Sequence, residues 1–119
     1  MKYRLPIKLH NPLNGSHGHW SAVAKRRKME RNAAFFATPM GLKPPLVITL
    51  TRIAPRLFDD DNLGAACKSI RDGIADRVGI DDGSKLIAFK YAQRRGNVKE
   101  YAIEIEIQEA HETETQQRA

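Results

Sequence analysis

Cysteine is almost missing from this chain, and so are aromatic rings and long apolar runs. One thiol, Cys67, among 119 residues excludes an intrachain disulfide and with it the stapled small folds of oxidising compartments. No stretch approaches the roughly 20 apolar residues that a membrane-spanning helix needs. The opening residues, Met1-Lys2-Tyr3-Arg4-Leu5-Pro6, carry no apolar segment of the secretory kind. The expectation is a cytoplasmic protein with no membrane partner. Aromatics make up 7% of the residues, so the core has to be built mostly from Ile, Leu, Val and Ala.

Positive charge is what the chain has in quantity. The formal net charge is +6, and from residue 104 onward there are five glutamates against one arginine, which leaves +10 on the first 103 residues. A small domain this basic suits a phosphate-bearing partner, although net charge also serves solubility. The length predicts one domain over residues 1–108. The polar remainder, 109–119, is expected to be a disordered tail.

Hydrophobic periodicity predicts a strand over 2–9, with Tyr3, Leu5, Ile7 and Leu9 on one face and Pro6 placing it near an edge. A loop follows, with a turn signal at Asn14-Gly15. Residues 19–37 read as a helix free of Gly and Pro, with Trp20 as a core anchor at its start. Leu46 to Ile53 reads as a central strand covered on both faces. A second helix is expected from Asn62 to Val78, capped by Asp60 or Asp61, with Leu63, Ala66, Cys67, Ile70, Ile74 and Val78 as its apolar stripe. Gly79 ends it. Strands over 85–92 and 98–107 are expected to form a hairpin through Arg94-Arg95-Gly96-Asn97. The predicted fold class is α/β: a mixed four-stranded sheet with two helices, in the order β-α-β-α-β-β.

Two charged stretches stand out. Lys25-Arg26-Arg27-Lys28-Met29-Glu30-Arg31 carries five positive charges in seven residues. It is either a solvated helix face or a surface for phosphates, and like charges so close together favour the second because a polyanion relieves their repulsion. The other is Asp59-Asp60-Asp61-Asn62. Carboxylates at i and i+2 of an extended segment point the same way, so Asp59 and Asp61 can converge before the second helix begins. Converging carboxylates call for a hard cation, and oxygen ligands favour Mg²⁺ or Mn²⁺ over Zn²⁺. Such an ion can polarise a phosphodiester, with Lys68 adding charge against the developing anion. The plainer reading is a helix cap followed, at Asp81-Asp82-Gly83, by a turn. Asp82 lies past the far end of the predicted helix, roughly 25 Å from Asp61 at 1.5 Å per residue. One site then requires a short helix, a turn that folds back, or two chains.

Asp59-x-Asp61-Asn62-Leu63, then Lys68 and Asp72, then the turn Gly79-Ile80-Asp81-Asp82, resemble the RusA family of Holliday-junction resolvases. Asn14, His19 and Trp20 ahead of the basic helix are similar to that family too, and the resemblance spans residues 3 to 107. It implies a RusA-like fold and a homodimeric, Mg²⁺-dependent crossover junction endodeoxyribonuclease, often carried by phages or prophages. The enzyme would resolve four-way DNA junctions by paired nicks in recombination and repair. By the same resemblance Asp59, Asp61 and Asp82 match the catalytic, metal-holding acids and Lys68 the catalytic lysine, supported by Asn62, Asp72 and Asp81. DNA contacts are expected from Lys25, Arg26, Arg27, Lys28 and Arg31. The departure is Lys68, which lies one helical turn further from the Asp-Asn pair than in the family's pattern. A two-fold dimer suits a junction of near two-fold symmetry.

Two alternatives remain open: a DNA-binding protein without catalysis, and a nuclease for other branched nucleic acids. Cys67 on the apolar stripe reads as a buried thiol. His17 and His19 suit loop or phosphate contacts better than a zinc site, and His10 and His111 carry no signal.

Overall fold

The structure, a computed structural model, describes residues 1–11, 20–81 and 83–110. The elements are β1 (Lys2–Leu5), α1 (Trp20–Ala37), β2 (Leu46–Ala54), α2 (Asp60–Ala66), α3 (Lys68–Val78), β3 (Ile87–Arg95) and β4 (Ala102–Glu109). The architecture is α/β, with a mixed sheet in the order β1-β4-β2-β3. β2 runs parallel to β3 and antiparallel to β4, and β1 pairs antiparallel with β4.

The observed order, β-α-β-α-α-β-β, corrects the expected pair of helices to three. The break falls at Cys67, whose N–H is shared between the carbonyls of Leu63 (3.1 Å) and Gly64 (3.2 Å). A bond split between i−4 and i−3 tightens the turn, and Gly64, a weak helix former, adds little resistance. The apolar stripe survives the break: Leu63, Ala66, Cys67, Ile70 and Ile74 are all buried. Gly79 ends α3 in the left-handed conformation at φ +83°, which glycine adopts without strain.

The expected hairpin is also corrected. β3 and β4 do not pair, because β2 lies between them. Residues 96–101 carry the chain across the end of β2, where the Gly96 N–H bonds the Ala54 carbonyl at 2.9 Å. A side chain at Gly96 would press on Ile53 and Glu100. β1 stops at Leu5 rather than running to residue 9, since Pro6 has no N–H to give a ladder. Ile7 and Leu9 still turn inward and are buried. β4 reaches Glu109, opposite Leu46, and the Glu109 carboxylate accepts the Lys43 N–H at 3.0 Å. The domain therefore extends past residue 108, while residues 111–119 of the expected tail lie outside the described residues.

One face of the sheet carries the helices. Leu46, Ile48 and Leu50 of β2 join Ile103, Ile105 and Ile107 of β4 and Ile70 and Ile74 of α3 in a single core. Each such side chain contributes about 1.5–3 kcal/mol by burial. The opposite face is not covered as expected: Val47, Thr49 and Thr51 are half-buried, and Thr49 and Thr51 lie beside Glu106 and Glu104. An antiparallel neighbour allows this solvated face.

Helix α1 packs on α3 with Glu30 and Ala34 buried at four-residue spacing, and just past its end the Thr38 carbonyl accepts from Arg77 Nε at 2.9 Å. Gly73 of α3 lies against the Arg31 carbonyl and Ala34, so the two backbones approach closely. Trp20, expected in the core, is 83% exposed. The first buried residue of α1 is Glu30, so the opening turns of this helix lie beyond the core.

Candidate functional site

The acidic cluster sits where β2 hands over to α2. Gln93 of β3 holds the approach: its side-chain carbonyl accepts the Phe58 N–H and its amide donates to the Phe58 carbonyl, both at 2.8 Å. The next residue, Asp59, is extended (φ −64°, ψ 148°) and is the N-cap of α2. Its carbonyl accepts from the N–H groups of Asn62 (3.0 Å) and Leu63 (3.2 Å). The cap is thus Asp59 rather than the expected Asp60 or Asp61, both of which are already helical. The expected i, i+2 convergence in an extended segment is overturned, because only Asp59 is extended. The Asp59 carboxylate makes no capping hydrogen bond, and Asp59, Asp60 and Asp61 are exposed. Their charges still suit the positive end of the helix dipole. Asn62, beside them in the first turn, is half-buried.

Lys68 opens α3 and pairs with Asp72 one turn on, at 3.7 Å. On one unbroken helix Asp61, Lys68 and Asp72 would share a face, but the turn at Cys67 puts Asp61 on a different helix from the other two. Asp81 adjoins the other end of the β2–β3 pair. Asp59 follows the C-terminal end of β2, whereas Asp81 precedes the N-terminal end of the parallel β3, with Leu46 opposite Ile87 and Ala54 opposite Arg95. Eight strand steps separate those ends, about 26 Å. Asp81 is exposed and caps its own turn, accepting the Gly83 N–H at 3.2 Å. Asp82 lies outside the described residues, as do His17 and His19.

Positive charge gathers between α1 and the α2–α3 junction. A groove of about 380 Å³ is bordered there by Arg26, Arg27 and Lys28 on one side and by Ala65, Lys68 and Asp72 on the other. Ala65 is one helical turn beyond Asp61, about 6 Å along α2 and on the same face. The five basic residues of α1 differ in what they can offer. Lys25, Arg27 and Lys28 are exposed. Arg26 is drawn to Glu30 at 3.8 Å. Arg31 is held by Asp76 through two hydrogen bonds of 2.6 and 2.9 Å. Lys25 lies away from the groove, beside Ser21, Ala22 and Lys28.

Several residues that sequence reasoning passed over define the surroundings. Glu30 is 4% exposed, and its burial raises the carboxyl pKa, against the pull of Arg26, a hydrogen bond with Ser69, and Arg27. Its one legible signal was being the only acid in a run of cations. Arg52 is 5% exposed, the only charge in an otherwise apolar and threonine-bearing strand. His10 borders both the α1 groove and a second cavity around Arg52, and burial followed by Arg26 and Lys8 lowers its pKa. Cys67 is the buried thiol expected: desolvation pushes its pKa up to about 12.

The carboxylates of Asp59, Asp60 and Asp61 are oxygen donors of the kind a hard cation takes. Among the described residues, however, no three His, Cys, Asp or Glu come together to hold a metal ion. The residues described in one chain therefore do not complete the expected Mg²⁺ site. No helix among the described residues is long and apolar enough to cross a membrane. No family model matches the chain, and no curated protein matches its sequence.

Proposed function

We propose that this protein is a Mg²⁺-dependent endodeoxyribonuclease that resolves four-way DNA junctions by paired symmetric nicks, acting as a homodimer in recombination and repair. One observation carries the reading: exposed, uncapped carboxylates at the start of α2 lie one helical turn from a groove walled by α1 cations. Basic groups there hold backbone phosphates, as counterion release favours, and the acids stand beside the path of the strand. Asp59 and Asp61 are the metal-holding acids from α2, and Asp82, with Asp81 beside it, supplies the remaining carboxylate. Lys68 adds positive charge against the developing anion. Arg27 and Lys28 are the principal DNA contacts, with Lys25 on the adjoining face. When bound, the metal would polarise the scissile phosphodiester.

A second reading rests on the placement of Asp59 after the C-terminal end of β2 and of Asp81 before the N-terminal end of the parallel β3. It is a DNA-binding protein that uses the same groove without cleaving. Cleavage of a labelled four-way junction, beside a linear duplex of the same sequence, decides between them. The expected result is paired nicks on the junction alone with Mg²⁺, lost with EDTA and with Asp61→Asn. Tight binding without nicks under Mg²⁺ or Mn²⁺ would leave the DNA-binding reading.

A further inference from the structure

Arg52 presents a charge that the fold does not answer. It sits on the central strand, 5% exposed. Its Nη1 donates to the Arg56 carbonyl at 2.8 Å and the Gln93 side-chain carbonyl at 3.2 Å. The Phe58 ring stacks on the guanidinium, 3.4 Å from its centroid. The Nε is buried and meets no acceptor among the described residues. The ion pairs of Lys2, Arg4, Arg26, Arg31, Lys68 and Arg94 do not involve Arg52. Burial lowers the guanidinium pKa, and only Cys67 and Tyr101 pull the other way.

Holding the 55–58 loop in place explains the Nη1 bonds but not the charge, since a neutral amide N–H could donate to the same two carbonyls. A buried charge is costly unless something of opposite sign meets it. The cavity beside Arg52, about 340 Å³, is bordered by Lys8, His10, Asn11, Arg56 and Tyr101. The ammonium of Lys8 is held over the Tyr101 ring, 4.6 Å from its centroid. Three further basic side chains thus face this space, and among the described residues no carboxylate borders it. The α1 groove differs, because Glu30 and Asp72 temper its charge.

We propose that this cavity binds a backbone phosphate of a nucleic-acid strand, with Arg52 as the buried charge and Lys8 and Arg56 as the accessible contacts. The identity of the ligand rests on the nucleic-acid reading above. Two placements favour a strand over an isolated anion. His10 borders this cavity and the α1 groove alike, so one strand can pass from the first to the second. Phe58, which stacks on Arg52, immediately precedes Asp59 in the chain. The cavity therefore adjoins the segment that leads into the acidic cluster.

The test is binding of a fluorescent twelve-residue oligothymidylate in EDTA, followed by anisotropy over a salt series, with Lys8→Ala, Arg56→Ala and Arg52→Lys. Each alanine variant is expected to bind about 5- to 10-fold more weakly at low salt. Each should also lower the salt slope by about 0.7, the share of one phosphate contact on a single strand. Arg52→Lys keeps the charge but loses the planar fork and should weaken binding as well. Should that buried substitution fail to fold, the two surface variants decide. Oligonucleotide binding unchanged in folded Lys8→Ala and Arg56→Ala would overturn the proposal. So would inorganic pyrophosphate binding that both variants lose while the oligonucleotide is indifferent to them, for the cavity would then serve a free phosphate. Because no divalent metal is present, a failure of the cleavage reading leaves this result standing.

Discussion

Arg31 of α1 and Asp76 of α3 are joined by two hydrogen bonds, Nε to Oδ2 at 2.6 Å and Nη2 to Oδ1 at 2.9 Å. The pair is a fork-to-carboxylate contact of good geometry, but both side chains are about half exposed. Exposed pairs contribute little, so Asp76→Asn is expected to cost about 0.5–1 kcal/mol in urea unfolding. The same change removes a negative charge from beside Arg31, which borders the α1 groove. Affinity for duplex DNA should rise, and the salt dependence should steepen by about one contact. Unchanged affinity with the predicted loss of stability would mean that Arg31 serves only to join the helices.

Gly73 sets how close those helices come. A β carbon there would collide with the Arg31 carbonyl and press on Ala34. Neither backbone can move aside without shifting a whole helix. Gly73→Ala normally favours a helix by nearly 1 kcal/mol, yet here overpacking should dominate, with a net loss of about 3 kcal/mol. Chemical denaturation measures it. A variant as stable as the parent would show that α1 and α3 can separate freely.

Much of the scaffold was legible because periodicity reports which side of an element is buried. Of the expected stripe, Leu63, Ala66, Cys67, Ile70 and Ile74 are buried and Val78 is half-buried. Periodicity does not report which strand is the neighbour. The Arg94–Asn97 turn reads the same whether the next strand pairs with β3 or crosses β2, and the second is observed. Trp20 misled for a related reason: an aromatic at a helix start says nothing about whether that turn reaches the core. At the site, residue types were legible and their arrangement was not. Asp59, Asp61 and Lys68 were visible as chemistry, but the turn at Cys67 depends on a shared hydrogen bond. Glu30 was masked by the cations around it, and Arg52 by the apolar strand that buries it.

Glu30 makes stability respond to pH in a definite direction. Burial lifts its pKa above the ordinary 4.5, so the folded state keeps the proton to higher pH than the unfolded chain does. This contribution is fully present below the ordinary carboxylate value and is lost as pH rises toward the lifted one. Glu30→Gln removes that loss while keeping a partner for Ser69. The variant is therefore expected to gain stability relative to the parent between pH 4 and pH 7, in paired urea titrations. A difference that does not change with pH would mean that Arg26 and Arg27 offset the burial in full.

The separation of Asp59 and Asp81 across the sheet bears on how a dimer would cleave. If Asp59 and Asp61 of one chain work with Asp82 of the other, each active site is composite. Asp61→Asn and Asp82→Asn should then each abolish cleavage as homodimers. Mixed and allowed to exchange subunits, they should recover it in part. In the heterodimer, one site collects both substitutions and the other collects neither. That leaves one working site in two, and on a four-way junction it yields single nicks without paired resolution. With about half of the dimers mixed, nicking should return to roughly a quarter of the parental rate, since two-fold symmetry gives each dimer two equivalent sites. If each site is built within one chain, every site in the mixture carries one substitution, and mixing restores nothing. Gel analysis of nicked and resolved junctions separates the two outcomes, and the unmixed variants provide the baseline.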